Sequence, residues 1–136
     1  MRALLVLLCA GSFVFFIGCG GDSSGRQPVA GMITLKGQPL AEGTISFASK
    51  AMAPEIFSGA LIKEGRFTVP AHAGLLPGAY IVRISAPQGG AVAAEAAPGV
   101  SGPPAKELVP PEFNAASKLE FQVQPGGKNQ FEPNIP

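Results

Sequence analysis

Between Val29 and Ile135 the apolar side chains fall at alternate positions, in short runs closed by Gly or Pro. This constrains the chain more than any other feature, because strand side chains alternate between two faces whereas a helix repeats every 3.6 residues. The stretch Val29–Phe47, VAGMITLKGQPLAEGTISF, sets the pattern. Val29, Gly31, Ile33 and Leu35 share one face of a first strand, and Ala30, Met32, Thr34 and Lys36 share the other. Lys36-Gly37-Gln38-Pro39 then breaks the run: Gly37 accepts a positive φ and Pro39 fixes its own, so a tight turn is expected. Thr44-Ile45-Ser46-Phe47 resumes the alternation with Ile45 and Phe47 inward. The stretch reads as a hairpin on which later strands pack.

Later runs repeat the same grammar. Phe57–Ile62 is a strand whose small residues leave its inward face open, and Lys63-Glu64-Gly65 turns it into Arg66–Val69, with Phe67 and Val69 inward. Pro70 stops that strand. Ala79–Ser85 is the strongest, with Tyr80, Val82 and Ile84 on one face and Ile81 beside Arg83 on the other. Ala86–Lys106 holds Gly, Pro and small residues, too little apolar surface to offset the entropy of ordering, so a long loop over about 86–107 is expected. A short helical turn within Ala91–Ala97 is compatible with it. Lys118–Gln124 alternates again with Leu119, Phe121 and Val123 inward, and Gln130–Ile135 returns with Phe131 and Ile135 inward. About seven short strands separated by turns predict an all-β fold, an antiparallel β-sandwich.

The N-terminus has a different character. Met1-Arg2 precedes fifteen apolar or small residues, Ala3–Ile17, which as a helix would span about 22 Å against a hydrocarbon core of about 30 Å. The segment is too short for a stable span and reads as a signal peptide, residues 1–18. Cys9 leaves with it, so Cys19 remains as a single cysteine and no internal disulfide is possible. Phe16-Ile17-Gly18-Cys19 resembles the lipobox of bacterial lipoproteins. That resemblance implies cleavage before Cys19, a diacylglyceryl group on its sulfur and an acyl chain, such as palmitate, on its amine. Residues 19–27, with Gly20-Gly21-Asp22-Ser23-Ser24-Gly25, then form a flexible tether ahead of a domain over 28–136. More than one acyl chain satisfies the two-signal requirement for stable anchoring in a bilayer. Gly20 after the cysteine resembles the outer-membrane sorting pattern of some diderm bacteria, and the protein is expected to be exported rather than cytoplasmic.

Three further motifs coincide in order and spacing. Gly31–Leu40 followed by Gly43-Thr44-Ile45-Ser46-Phe47, then Gly65-Arg66-Phe67-Thr68, then Pro77-Gly78-Ala79-Tyr80-Ile81-Val82-Arg83-Ile84, resemble carboxypeptidase regulatory-like domains. Val109-Pro110-Pro111-Glu112-Phe113-Asn114, Leu119–Val123 and Pro125-Gly126 resemble the ending of small lipoproteins of that group. The resemblance implies a transthyretin-like (prealbumin-like) seven-stranded sandwich and an accessory role beside another protein or a carbohydrate, not a reaction.

Chemistry has few candidates. Hydroxyisourate hydrolases share a related fold, but the resemblance stops at their several His and Arg residues and Tyr-Arg-Gly-Ser ending. Here His72 is the only histidine, in an expected exposed loop, and the chain ends Asn134-Ile135-Pro136. The glutamates at 42, 55, 64, 95, 107, 112, 120 and 132 are scattered, without an Asp-rich calcium loop. The serines lack a G-x-S-x-G setting, and neither Lys36-Gly37 nor Pro125-Gly126-Gly127-Lys128 has phosphate-loop spacing. No catalytic, cofactor-binding or metal-binding residue is therefore assigned. Ten basic and nine acidic residues become equal once a leader containing Arg2 is removed, which argues against nucleic acid as a partner. The expected role is a non-enzymatic, lipid-anchored envelope module contacting another envelope protein or a polysaccharide; the alternative is a carbohydrate- or small-ligand-binding module. Trp is absent and Tyr80 is the sole tyrosine, which weighs against sugar stacking. Loops Lys36–Leu40, Lys50–Glu55 and Ala86–Lys106 are the expected contact surfaces, with Phe113 an apolar residue placed between loop and strand.

Overall fold

Two short turns show how this sequence makes strands rather than helices. In each, both central residues sit at positive φ, Lys36 (54°) with Gly37 (77°) and Glu64 (50°) with Gly65 (78°). This is the type I′ pattern, whose twist matches that of paired strands. The computed structural model describes residues 24–51, 55–89 and 105–136. Its strands are β1 (Val29–Met32), β2 (Thr34–Leu35), β3 (Gln38–Pro39), β4 (Glu42–Ser49) and β5 (Phe57–Lys63). They continue with β6 (Arg66–Val69), β7 (Gly78–Ser85), β8 (Glu120–Val123), β9 (Asn129–Gln130) and β10 (Asn134–Ile135). The all-β expectation is met.

Seven strands form one sheet, in the order β8-β7-β4-β5-β6-β1-β9, and three form a second, β10-β2-β3. The large sheet curls until its edges approach: Phe121 of β8 and Phe131, just past β9, have ring centroids 5.1 Å apart. The seven strands thus lie in one nearly closed sheet instead of being divided between two layers. Pairing is mixed as well. β9 runs parallel to β1, and β10 parallel to β2, because the chain crosses from β8 to the free edge of β1 and then follows β1 and β2 in their own direction.

Val29–Phe47 is not a single hairpin. The tight hairpin is only β2–β3, with Thr34 opposite Pro39 and Leu35 opposite Gln38. Pro39 has no N–H to extend the ladder, and buried Leu40, whose amide donates to the Ile33 carbonyl, turns the chain into the large sheet. There β4 pairs with β5 and β7, while β1 pairs with β6 and β9.

The inward faces read from alternation are the core. Ile45, Phe47, Phe67, Val69, Tyr80, Val82, Ile84, Val123, Phe131 and Ile135 are buried. Each large apolar side chain contributes roughly 1.5–3 kcal/mol. Leu119 and Phe121 are half-buried, as is Phe113, which packs against the core. Leu75, between β6 and β7, is fully buried and held by an antiparallel bridge to Gln27. The Tyr80 hydroxyl donates to the Leu76 carbonyl at 2.9 Å, which ties the Pro77-Gly78 corner to β7. Burial raises the phenol pKa against the opposing pull of that bond and of Arg26. Tyr80→Phe is expected to lower stability by about 1 kcal/mol, the worth of one neutral hydrogen bond, measured as a urea midpoint shift at constant slope.

The strand directions define two ends. At the near end the chain joins the fold: Gln27 pairs with Leu75, the Arg26 guanidinium donates to the Gly74 carbonyl, and Gly126 donates to the Gln27 side chain. The far end carries both type I′ turns, the last residues of β7 and the C-terminal β10.

Candidate functional site

Sequence named three loops as contact surfaces, and the fold separates them. The 36–40 turn and the base of the 86–106 loop lie at the far end, whereas residue 50 and Glu55 lie at the near end with Ser49 and Phe57. Met52, Ala53, Pro54 and residues 90–104, with the expected turn at 91–97, lie outside the described residues, as do the leader and Cys19.

The far end is organised by Glu107. The two segments flanking the long loop are joined by an isolated bridge: Pro87 faces Glu107, the Gln88 amide donates to Lys106 O, and the Leu108 amide to Ala86 O. The Glu107 side chain closes this bridge. Its Oε2 accepts from Ser85 Oγ at 2.6 Å and Asn114 Nδ2 at 2.9 Å. Its Oε1 accepts from the amides of Ala86 at 2.6 Å, Leu108 at 3.1 Å and Val109 at 3.2 Å. Burial pushes the carboxyl pKa up, but the bonds from Ser85, Ala86, Val109 and Leu108 together outweigh it and hold it below the ordinary range. The Ser85–Glu107 contact is therefore a staple, because a carboxylate of lowered pKa with its lone pairs occupied is a poor base for a serine. Nor is there a histidine to help: His72 is exposed in a 3-10 turn, Ala71–Ala73, at the near end.

A carboxyl of lowered folded-state pKa stabilises fully above its unfolded value, about 4.3, and loses that contribution as pH falls through the folded value. Glu107→Gln should therefore be less stable than wild type at neutral pH, with the gap closing on acidification. Glu107→Ala should cost about 3 kcal/mol, since it strands several donors at once. Urea titrations across pH measure both; a gap independent of pH would contradict the assignment.

Two clefts flank this staple. One, of about 440 Å³, is lined by Lys36, Glu107, Leu108, Pro110, Pro111 and Asn114. The other, of about 490 Å³, is lined by Leu40, Ala41, Glu42, Glu64, Pro87 and Leu108. Leu108 is the ridge between them and is 45% exposed, although it follows a side chain held by five donors. The arrangement offers a fixed apolar projection between two hollows, with Lys36 on one side and Glu42 and Glu64 on the other. That suits contact more than turnover.

In the sequence Glu107 is one of several scattered carboxylates, and Leu108 carries no signal of a role. The available signal was positional: a glutamate just after a Gly/Pro-rich stretch, and just before that stretch a serine that ends the strongest strand. Among the described residues, no group of three or more His, Cys, Asp or Glu side chains is placed to hold a metal ion. No family model, curated protein or solved structure matches the chain.

Proposed function

We propose that the protein is a lipid-anchored envelope module without catalytic chemistry of its own, which engages another envelope protein through the far end of its fold. Acylated Cys19 holds it to the bilayer, and the domain belongs to the carboxypeptidase regulatory-like, transthyretin-like kind. The motifs behind that resemblance fall at structural corners: Glu64-Gly65 makes a type I′ turn, and Pro77-Gly78 precedes the tied Tyr80. The observation that carries the functional reading is the segregation of ends. The chain joins the fold at Gln27, whereas the 36–40 turn, the stapled base of the long loop and exposed Leu108 gather at the opposite end. A tether at one end leaves the other free to meet a partner, and a pre-ordered apolar ridge limits the entropy lost on contact.

The test is site-specific photocrosslinking in the native, membrane-attached protein, with the crosslinker at position 108 and, as a control, at position 72. The reading expects one stoichiometric protein adduct from position 108 and none from 72. Equal adducts from both positions, or capture of polysaccharide alone, would sink it.

A further inference from the structure

We infer that the outer face of the curled sheet, around Phe57 and Leu61, rests on the bilayer that holds the anchor; this builds on the lipid-anchor reading above. On that face Phe57 stands in a row with Ala48 and Ile81, Gly59 with Ser46 and Arg83, and Leu61 with Thr44 and Ser85. Phe57 is 63% exposed and Leu61 56%. Gly59 and Ser46 raise no bulk between them, so both apolar side chains project from a strand paired with β4 along its length and with β6 at Lys63–Arg66. Such a pair marks an interaction surface rather than scattered surface apolarity.

Two observations select a lipid surface as the occupant. The first is reach. Phe57 begins β5 at the near end, and only eight residue steps separate Cys19 from docked Gln27, at most about 28 Å of chain. An eight-residue strand such as β7 is itself about 27 Å long. The acyl chains are thus never farther from the near end, where Phe57 stands, than about the length of the fold. The second is charge. Lys63, Arg66 and Arg83 lie on the same face; Glu42 stands opposite Lys63 and Glu120, opposite Ile81, is paired with Lys50, but among the described residues neither Arg66 nor Arg83 is ion-paired. Arginines lay their aliphatic stems along apolar surface and extend the guanidinium groups to anionic headgroups, as the apolar side chains enter the boundary below. The far end, with Leu108, stays clear for a partner.

The chain has no tryptophan, so single substitutions report position directly. Phe57→Trp, Leu61→Trp and Leu108→Trp versions of the acylated full-length protein would be reconstituted into phosphatidylcholine–phosphatidylglycerol vesicles, with and without brominated acyl chains. Vesicle flotation would be read in the same samples, alongside Cys19→Ser. The expected result is blue-shifted emission quenched by bromine for Phe57→Trp and Leu61→Trp, and unquenched emission for Leu108→Trp. Flotation without quenching at 57 and 61 would overturn the lipid-facing assignment while leaving the anchor intact, and the face would then be open to a protein. Quenching at 108 equal to that at 57 would overturn the orientation. Failure of the unsubstituted chain to float, or flotation of Cys19→Ser equal to it, would overturn the anchor reading itself and this inference with it.

Discussion

Phe47→Ala is expected to lower stability by about 3–5 kcal/mol, the range for removing a buried aromatic ring. Phe47 has no solvent exposure and sits where the sheet curls, its ring centroid 6.1 Å from Phe67, 6.1 Å from Phe121 and 6.4 Å from Phe131. Those three rings come from β6, from β8 and from the segment after β9, so one side chain joins the middle of the sheet to both of its closing edges. Truncation leaves a cavity that a nearly closed sheet collapses into only at the expense of its own pairing. Against a total of about 5–15 kcal/mol for an ordinary domain, the variant should be largely unfolded at mild denaturant concentrations. Phe47→Leu keeps most of the volume and should cost less than half as much. Equilibrium urea unfolding by far-ultraviolet circular dichroism measures both. A loss under about 1 kcal/mol for Phe47→Ala would mean that this ring is not the centre of the core.

Gly31→Ala should be as damaging, for the opposite reason. A Cβ at Gly31 would lie 1.9 Å from the Phe131 carbonyl oxygen and 3.0 Å from Cε1 of Phe67. The first of these is backbone, held by the Phe131 amide's bond to Ala30 O, so it cannot swing aside like a side chain. Overpacking of a core by side chains costs about 1–3 kcal/mol, and a clash with paired backbone stands at or above the top of that range. The damage should also be local. The segment after Phe131 is held to β2 by the amides of Thr34, bonded to Pro133 O, and Lys36, bonded to Ile135 O. Hydrogen exchange at those two amides should accelerate more than at β4 or β7. Gly37 offers the contrast, with nothing within 4 Å of an added Cβ and a φ of 77°. Gly37→Ala should cost only the left-handed conformation, about 1–2 kcal/mol.

These two glycines show what was legible in the sequence. Gly37 declared itself, since a glycine between alternating runs and ahead of a proline has a local, conformational meaning. Gly31 was read as sharing a strand face with Val29, Ile33 and Leu35 but without its reason, because the atom that fills its space belongs to residue 131. Alternation likewise identified Ile45, Phe47, Tyr80, Val82 and Ile84 as inward, since period two is a local property. It could not say that β1 and β4 would part company after Pro39, or that β9 and β10 would run parallel to their neighbours. Pairing partners far apart in sequence are chosen by which edges remain free, and that is decided by the whole sheet. The far-end site was legible to the same degree. The loops were visible as Gly/Pro-rich stretches. The staple was not, because five donors converge on Glu107 from residues on both sides of the long loop, and no spacing rule encodes that.

The sheet face follows the same logic. Phe57 and Leu61 looked ambiguous in sequence because the residues between them are small, and it is the smallness of Gly59 that lets both stand clear in the fold. On the proposed reading, with the near end joined to the chain that carries Cys19, this face meets lipid and the far end meets a partner.

The measurement that tests the central claim most directly is mass spectrometry of the N-terminal peptide of the mature protein, extracted from membranes of its native host. The account predicts a peptide that begins at Cys19 and carries a diacylglyceryl group on sulfur together with an acyl chain on the amine. A mature N-terminus elsewhere, or a peptide beginning at an unmodified Cys19, would contradict it.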